Sequence, residues 1–134
     1  MTSSRSIAVA MLCLELAYVP AARADPAGDA CAALAETRTA LYSMMSAKDK
    51  STQDSLNAKM QAASTKVDSA VVAMTGANAG TAADFKAIWD QFKATRDQEI
   101  IPAIYKGNTD DAKKLANGIQ YNRLSKMWGI MSCK

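Results

Sequence analysis

An all-α chain, arranged as an antiparallel up-down-up-down four-helix bundle, is the fold class this sequence predicts, and three observations carry it. Four consecutive stretches repeat their apolar residues at spacings of three and four, the period of one helix face. No stretch alternates with the period of two that a half-buried strand needs, and β-branched residues are few. Two cysteines, Cys31 and Cys133, stand at chain positions that an up-down-up-down topology brings to one end.

Residues 1–24 read as a processing segment. Arg5 gives an early positive charge, Ile7 to Val19 is largely apolar, and Ala22-Arg23-Ala24 has the small-x-small form of a signal-peptidase site, so cleavage is expected after Ala24. The apolar run falls short of the about 20 residues that span a bilayer, and Glu15 interrupts it, which argues against a membrane anchor. Cys13 follows Ala10-Met11-Leu12 and lacks the small residue expected before a lipidated cysteine. A periplasmic protein without membrane insertion is the expectation, with residues 25–134 as one domain.

The helices are expected over 26–48, 52–75, 82–106 and 109–132. Asp25 can cap the first, with Pro26 at its first position. Ser51 with Asp54, Thr81 with Asp84 and Asn108 with Asp111 each set a capping side chain three residues before an acid, and these open the other three helices. Gly76 to Gly80 and Lys106-Gly107-Asn108 supply turns. The expected seams are Cys31, Leu34, Arg38, Leu41 and Met45 on the first helix, and Leu56, Met60, Ala63, Val67, Ala70 and Met74 on the second. On the third they are Phe85, Ile88, Phe92, Thr95 and Glu99, flanked by Trp89 and Arg96; on the fourth, Ala112, Leu115, Ile119, Asn122 and Lys126, with Arg123, Met127 and Ile130 alongside. Pro102 is expected to kink the third helix and to leave carbonyls near Gln98 without their usual donor.

Export would oxidise the two cysteines that survive cleavage, so Cys31 and Cys133 are expected to bond to each other. Losing Arg5, Arg23 and Glu15 from the 16 basic and 13 acidic residues leaves a net charge of +2, with the basic residues spread among acidic ones. That pattern lacks the basic stripe of a nucleic-acid binder, and no DNA or RNA partner is expected.

The chain holds no histidine, which removes the usual general base, the commonest metal ligand and the usual haem ligand. No Ser-His or Cys-His nucleophile, c-type haem site or Glu-x-x-His di-iron site can be built, so no catalytic residue, haem or metal is expected. Six methionines follow residue 24, and Met127 and Met131 share a helix face. Thioether sulfur suits Cu(I), which gives a copper-carrier alternative; core filling is the other use of methionine.

Helices three and four carry Trp89-x-x-Phe92-x-x-x-Arg96, Glu99-Ile100-Ile101-Pro102-Ala103-Ile104, Gly107, Ala112-Lys113-Lys114-Leu115-Ala116 and Gly118-Ile119-Gln120-x-x-Arg123. In this the chain resembles the periplasmic four-helix-bundle sensor domain of bacterial methyl-accepting chemotaxis receptors. The resemblance implies a bundle that binds a small molecule between helices or at the interface of a homodimer. Those receptors have membrane helices on both sides of the bundle and signal through a cytoplasmic domain. Neither is expected here, so transmembrane signalling is not carried over.

Helix registration places Arg38, Arg96, Gln120 and Arg123 within a few turns of one another at mid-bundle. A guanidinium forks onto a carboxylate or phosphate, so a pocket for a small organic anion is expected there, anchored by Arg96 and Arg123 and walled by Trp89, Phe92 and Tyr121. The alternative use of these arginines is pairing with Glu36, Asp97 and Glu99. Three functional readings follow: a sensor-like small-molecule binder, a Cu(I) carrier, or a structural module that docks on another envelope protein.

Overall fold

The computed structural model describes residues 25–134; the expected leader and its cleavage site lie outside the described residues. The described chain is all-helical, with four helical rods and no strand among the described residues. Helix α1 spans Pro26–Ser46 and α2 spans Lys50–Ala73. After a 3₁₀ turn at Gly76–Asn78, the third rod runs as α3 (Ala79–Thr95), a π-helical segment (Arg96–Ile100) and α4 (Ile101–Tyr105). The fourth rod runs as α5 (Thr109–Leu115), a second π-segment (Ala116–Gln120) and α6 (Tyr121–Met131). No described helix is long and apolar enough to cross a membrane.

The helix starts follow capping chemistry, though not always from the expected residue. Asp25 accepts from the Gly28 N–H at 3.1 Å and Pro26 occupies the first helical position, as expected. The second helix begins at Lys50 because Asp49, not Ser51, accepts the Thr52 N–H at 2.8 Å. The third begins before Thr81, and neither it nor the fourth has a side-chain cap hydrogen bond. Gly107, at φ +78°, lets the Asn108 N–H reach back to the Ala103 carbonyl at 2.8 Å and closes the third rod. Ser132 takes the same left-handed conformation at φ +53°, and the Cys133 N–H bonds the Trp128 carbonyl at 2.9 Å. That turn brings Cys133 back to Cys31, and the two form a disulfide with Cα atoms 5.6 Å apart.

The kink expected at Pro102 takes the form of a widened turn. A proline ring crowds the carbonyl four residues earlier, and an extra residue in the preceding turn relieves the crowding. The Ile101 N–H bonds the Arg96 carbonyl, five residues back, and Pro102 follows at the start of α4.

Both π-segments move the buried stripe. On the third rod Phe85, Phe92 and Thr95 are buried as expected, with the flanking Trp89 and Arg96, but Ile100 is buried where Glu99 was expected and Glu99 is exposed. On the fourth rod the buried row is Ala112, Ala116, Gln120, Leu124, Met127 and Met131, while Ile119, Asn122 and Lys126 face solvent. Four residues per turn through a π-segment keep 112, 116, 120 and 124 on one side, where a 3.6-residue turn would have rotated them away. The second helix keeps its expected seam, with Met60, Ala63, Val67, Ala70 and Met74 buried.

The core is in two parts. One apolar cluster gathers Leu34, Val67, Phe85, Trp89, Phe92, Leu124 and Met127 toward the disulfide end. The other gathers Leu41, Met44, Met60, Ile100, Ile104, Ala112 and Ala116. Between them in sequence on every rod lie the buried polar residues Thr37, Ser64, Thr95, Arg96 and Gln120.

Candidate functional site

The buried polar residues form a layer whose hydrogen bonds are made within the protein. Thr37 and Ser64 each donate to the carbonyl four residues back, at 3.0 and 2.9 Å. Arg96, only 1% exposed, forks onto Asp97 at 2.7 and 3.0 Å and donates to the Ser64 hydroxyl at 2.6 Å and the Gln61 carbonyl oxygen at 3.3 Å. Gln120 donates to the Phe92 carbonyl at 2.8 Å, at the edge of the first π-segment. Arg123 donates to Thr95 at 2.7 Å and to the Gln120 side-chain oxygen at 3.0 Å. Among the described residues every buried side-chain nitrogen and oxygen has a partner. A polar layer satisfied in this way fixes helix register rather than waiting for a ligand.

The expected site residues divide accordingly. Arg96 is committed to Asp97 and to helix α2. Trp89 is a core residue, stacked on Phe92 with ring centroids 5.5 Å apart and donating its indole N–H to Asp68 at 2.7 Å. Arg123 bridges α3 and α6 through neutral acceptors. Arg38, Phe92, Gln120 and Tyr121 come together, and with Leu41, Tyr42, Ala116 and Leu124 they line one small notch between α1 and the fourth rod.

Arg38 differs from its two counterparts in what faces it. Its guanidinium carbon lies over the Tyr42 ring, 5.5 Å from the centroid, and over that of Trp128 at the same distance, both within cation–π range. Among the described residues it has no carboxylate partner, and no acidic residue lines the notch. A cation–π contact uses the charge of a guanidinium and none of its N–H donors, so the rings hold the cation without consuming its hydrogen bonds. Tyr42 is itself held by its hydroxyl, which donates to the Asn117 side chain at 2.8 Å.

The notch has an internal volume of about 10 Å³, which is room for one water-sized group. Beyond it Tyr121 is 51% exposed, a flat surface at the mouth.

Tyr42, Asn117 and Trp128 were not among the expected site residues. Their contribution depends on how α1 is rotated against α6, and the second π-segment sets that rotation. A basic residue four positions before an aromatic one, as Arg38 stands before Tyr42, was the available signal.

Comparison with models of known protein families, with characterised proteins and with solved structures finds no match for this chain.

Proposed function

We propose that the protein is an exported, non-catalytic four-helix bundle that binds a small organic carboxylate at its surface, with Arg38 as the anchor. The observation that carries this reading is a guanidinium held over the rings of Tyr42 and Trp128 with no carboxylate of its own among the described residues. A cation kept in place by rings, beside a notch of one-water size and an exposed Tyr121, suits a planar carboxylate such as an aromatic acid.

The bundle is proposed to be antiparallel throughout. Partners on consecutive rods run in opposite senses: Glu36 meets Lys66 while the α1–α2 connection lies past Ser46, and Asp68, Ser64 and Asp54 meet Lys93, Arg96 and Tyr105 in turn. The disulfide supports a periplasmic location, where such bonds persist. The kinship to chemoreceptor sensor domains is proposed on the same footing: a helical bundle with a ligand held between rods, and two copies associating.

The copper alternative has less support. Met44, Met45, Met60, Met74, Met127 and Met131 are all buried, three in each apolar cluster, which is where methionine fills gaps.

Thermal unfolding with benzoate as the probe tests the reading. For a millimolar site at tenfold excess of ligand, linkage gives about 1.4 kcal/mol, a rise in Tm of about 5 °C. Arg38→Ala is expected to abolish the rise, and Arg96→Ala to keep it on a lower baseline. A rise that survives Arg38→Ala, or no rise in the unaltered protein, would refute the proposal.

A further inference from the structure

The fourth rod carries one residue more than its packing requires. Its buried row runs through Ala112, Ala116, Gln120 and Leu124, in steps of four residues across the segment Ala116–Gln120. On a regular helix those steps overshoot whole turns by about 120°, and the widened π-turn absorbs the excess. With one residue fewer between Ala116 and Gln120 the steps would be four, three and four, and the overshoot about 20°. An ordinary helix would then bury the same four side chains. No proline follows this segment as Pro102 follows the first, so neither core packing nor ring crowding accounts for the extra residue.

Its consequence lies at the surface. Asn117, Gly118 and Ile119 are all exposed, and neither an exposed glycine within a helix nor an exposed isoleucine adds stability. Asn117, however, reaches another rod. Its side-chain oxygen accepts from the Tyr42 hydroxyl at 2.8 Å, and that hydroxyl also lies 3.5 Å from the Ala116 carbonyl. Tyr42 stands one helical turn after Arg38 and is one of the two rings over which the Arg38 guanidinium lies. The ring packs against the apolar cluster that includes Leu41, Met44 and Ala116, while its hydroxyl is held by Asn117. Packing and a terminal hydrogen bond together leave the ring one orientation. Widened turns of this kind gather at functional sites, where a helix presents a group out of its regular phase.

We infer that the extra residue of the second π-segment is a positioning device for the Arg38 site, with Asn117 as the positioning residue that fixes the Tyr42 ring against the guanidinium. The inference rests on Arg38 as the carboxylate anchor. Asn117 touches no ligand and acts through Tyr42. A ring free to turn leaves Arg38 several orientations, and a carboxylate that binds there has to order both side chains. Ordering one such side chain corresponds to an affinity loss of about two- to tenfold.

Two readouts on the exported, disulfide-bonded protein test this. In the ligand-free protein the Tyr42 ring current acts on the Arg38 Nε–H signal. Asn117→Ala and Tyr42→Phe should each move that signal in ¹⁵N-resolved NMR spectra, while the Arg96 signal stays in place. Each should weaken benzoate binding by about two- to tenfold, and both together no more than either alone, as for the two ends of one hydrogen bond. Deletion of Asn117 should also weaken binding but keep the helical circular dichroism and a cooperative melt, because the buried row is retained. An Arg38 signal or a benzoate affinity indifferent to Asn117→Ala would overturn the inference and leave the Arg38 reading intact. Loss of cooperative unfolding on deletion would overturn it too, since the core would then need the extra residue. Benzoate that fails to bind the unaltered protein would instead remove the Arg38 reading, and this inference with it.

Discussion

Arg38 and Arg96 carry the same charge, and their surroundings differ. Arg96 is enclosed and makes its hydrogen bonds to Asp97, Ser64 and Gln61. Removing it takes away the donor that joins the third rod to Ser64 and Gln61 and opens a hole beside Trp89, so Arg96→Ala should cost about 2–3 kcal/mol in urea unfolding. Arg38 lies over two rings at a part-exposed position, and Arg38→Ala should cost less than about 1 kcal/mol. A large loss at Arg38 with little at Arg96 would reverse the two assignments. Carboxylates at the periphery add a pH dependence. The Thr52 backbone N–H holds Asp49 below its usual 3.8, Lys50 and then Tyr105 do so for Asp54, and Lys86 for Asp90. A lowered carboxylate pKa gives stability that is complete above the unfolded value and lost as pH falls through the folded one. The urea midpoint should therefore be level from about pH 7 to 5 and decline below about pH 4. On the alkaline side, Lys50 and Tyr105 are both raised through hydrogen bonds to Asp54, so their contribution is lost above about pH 10.

The two π-segments decide which residues of the third and fourth rods enter the core. The first has a cause visible in the sequence, Pro102. The second has none of comparable strength; Gly118 lies within it, exposed, with open space where a Cβ would sit. Gly118→Ala should therefore raise stability by about 0.5–1 kcal/mol if the widened turn is kept, as read by urea unfolding. A loss at this site would mean that the segment needs the freedom of glycine. These segments also explain what could be read from residues alone. The second helix is regular, and its seam from Met60 to Met74 follows directly from its spacing. On the fourth rod a 3.6-residue period selects Ile119, Asn122 and Lys126, whereas the structure buries Ala116, Gln120 and Leu124. One inserted residue, recorded only in backbone hydrogen bonds, rotates the whole face. The site was legible in the same measure. Arg38, Phe92, Gln120 and Tyr121 were expected at mid-bundle and do meet, but Tyr42 and Trp128 depend on that rotation. Helix ends moved for a smaller reason: Asp49 stands two residues before Ser51 and caps first.

At the scale of the whole molecule, the disulfide joins residues 102 apart and ties the first rod to the last. Closing a loop of that length removes entropy from the unfolded chain worth about 4–5 kcal/mol, and measured losses are often smaller. Reduction, or Cys31→Ser with Cys133→Ser, should lower unfolding stability by about 2–5 kcal/mol while circular dichroism still reports helix at low temperature. An unchanged urea midpoint would place the stability elsewhere. Above this tie the bundle presents two distinct faces, the arginine held over two rings between α1 and the fourth rod and a groove lined by Ala32, Ala35, Ala62 and Ala73 between α1 and α2. The polar layer and its twin π-segments stand level with the first. The most direct test of the central claim follows the arginine Nε–H signals in ¹⁵N-resolved NMR spectra during a benzoate titration. The Arg38 signal should move in proportion to saturation while that of Arg96, bonded to Asp97, stays in place; a still Arg38, or a response confined to Arg96 or Arg123, would contradict the account.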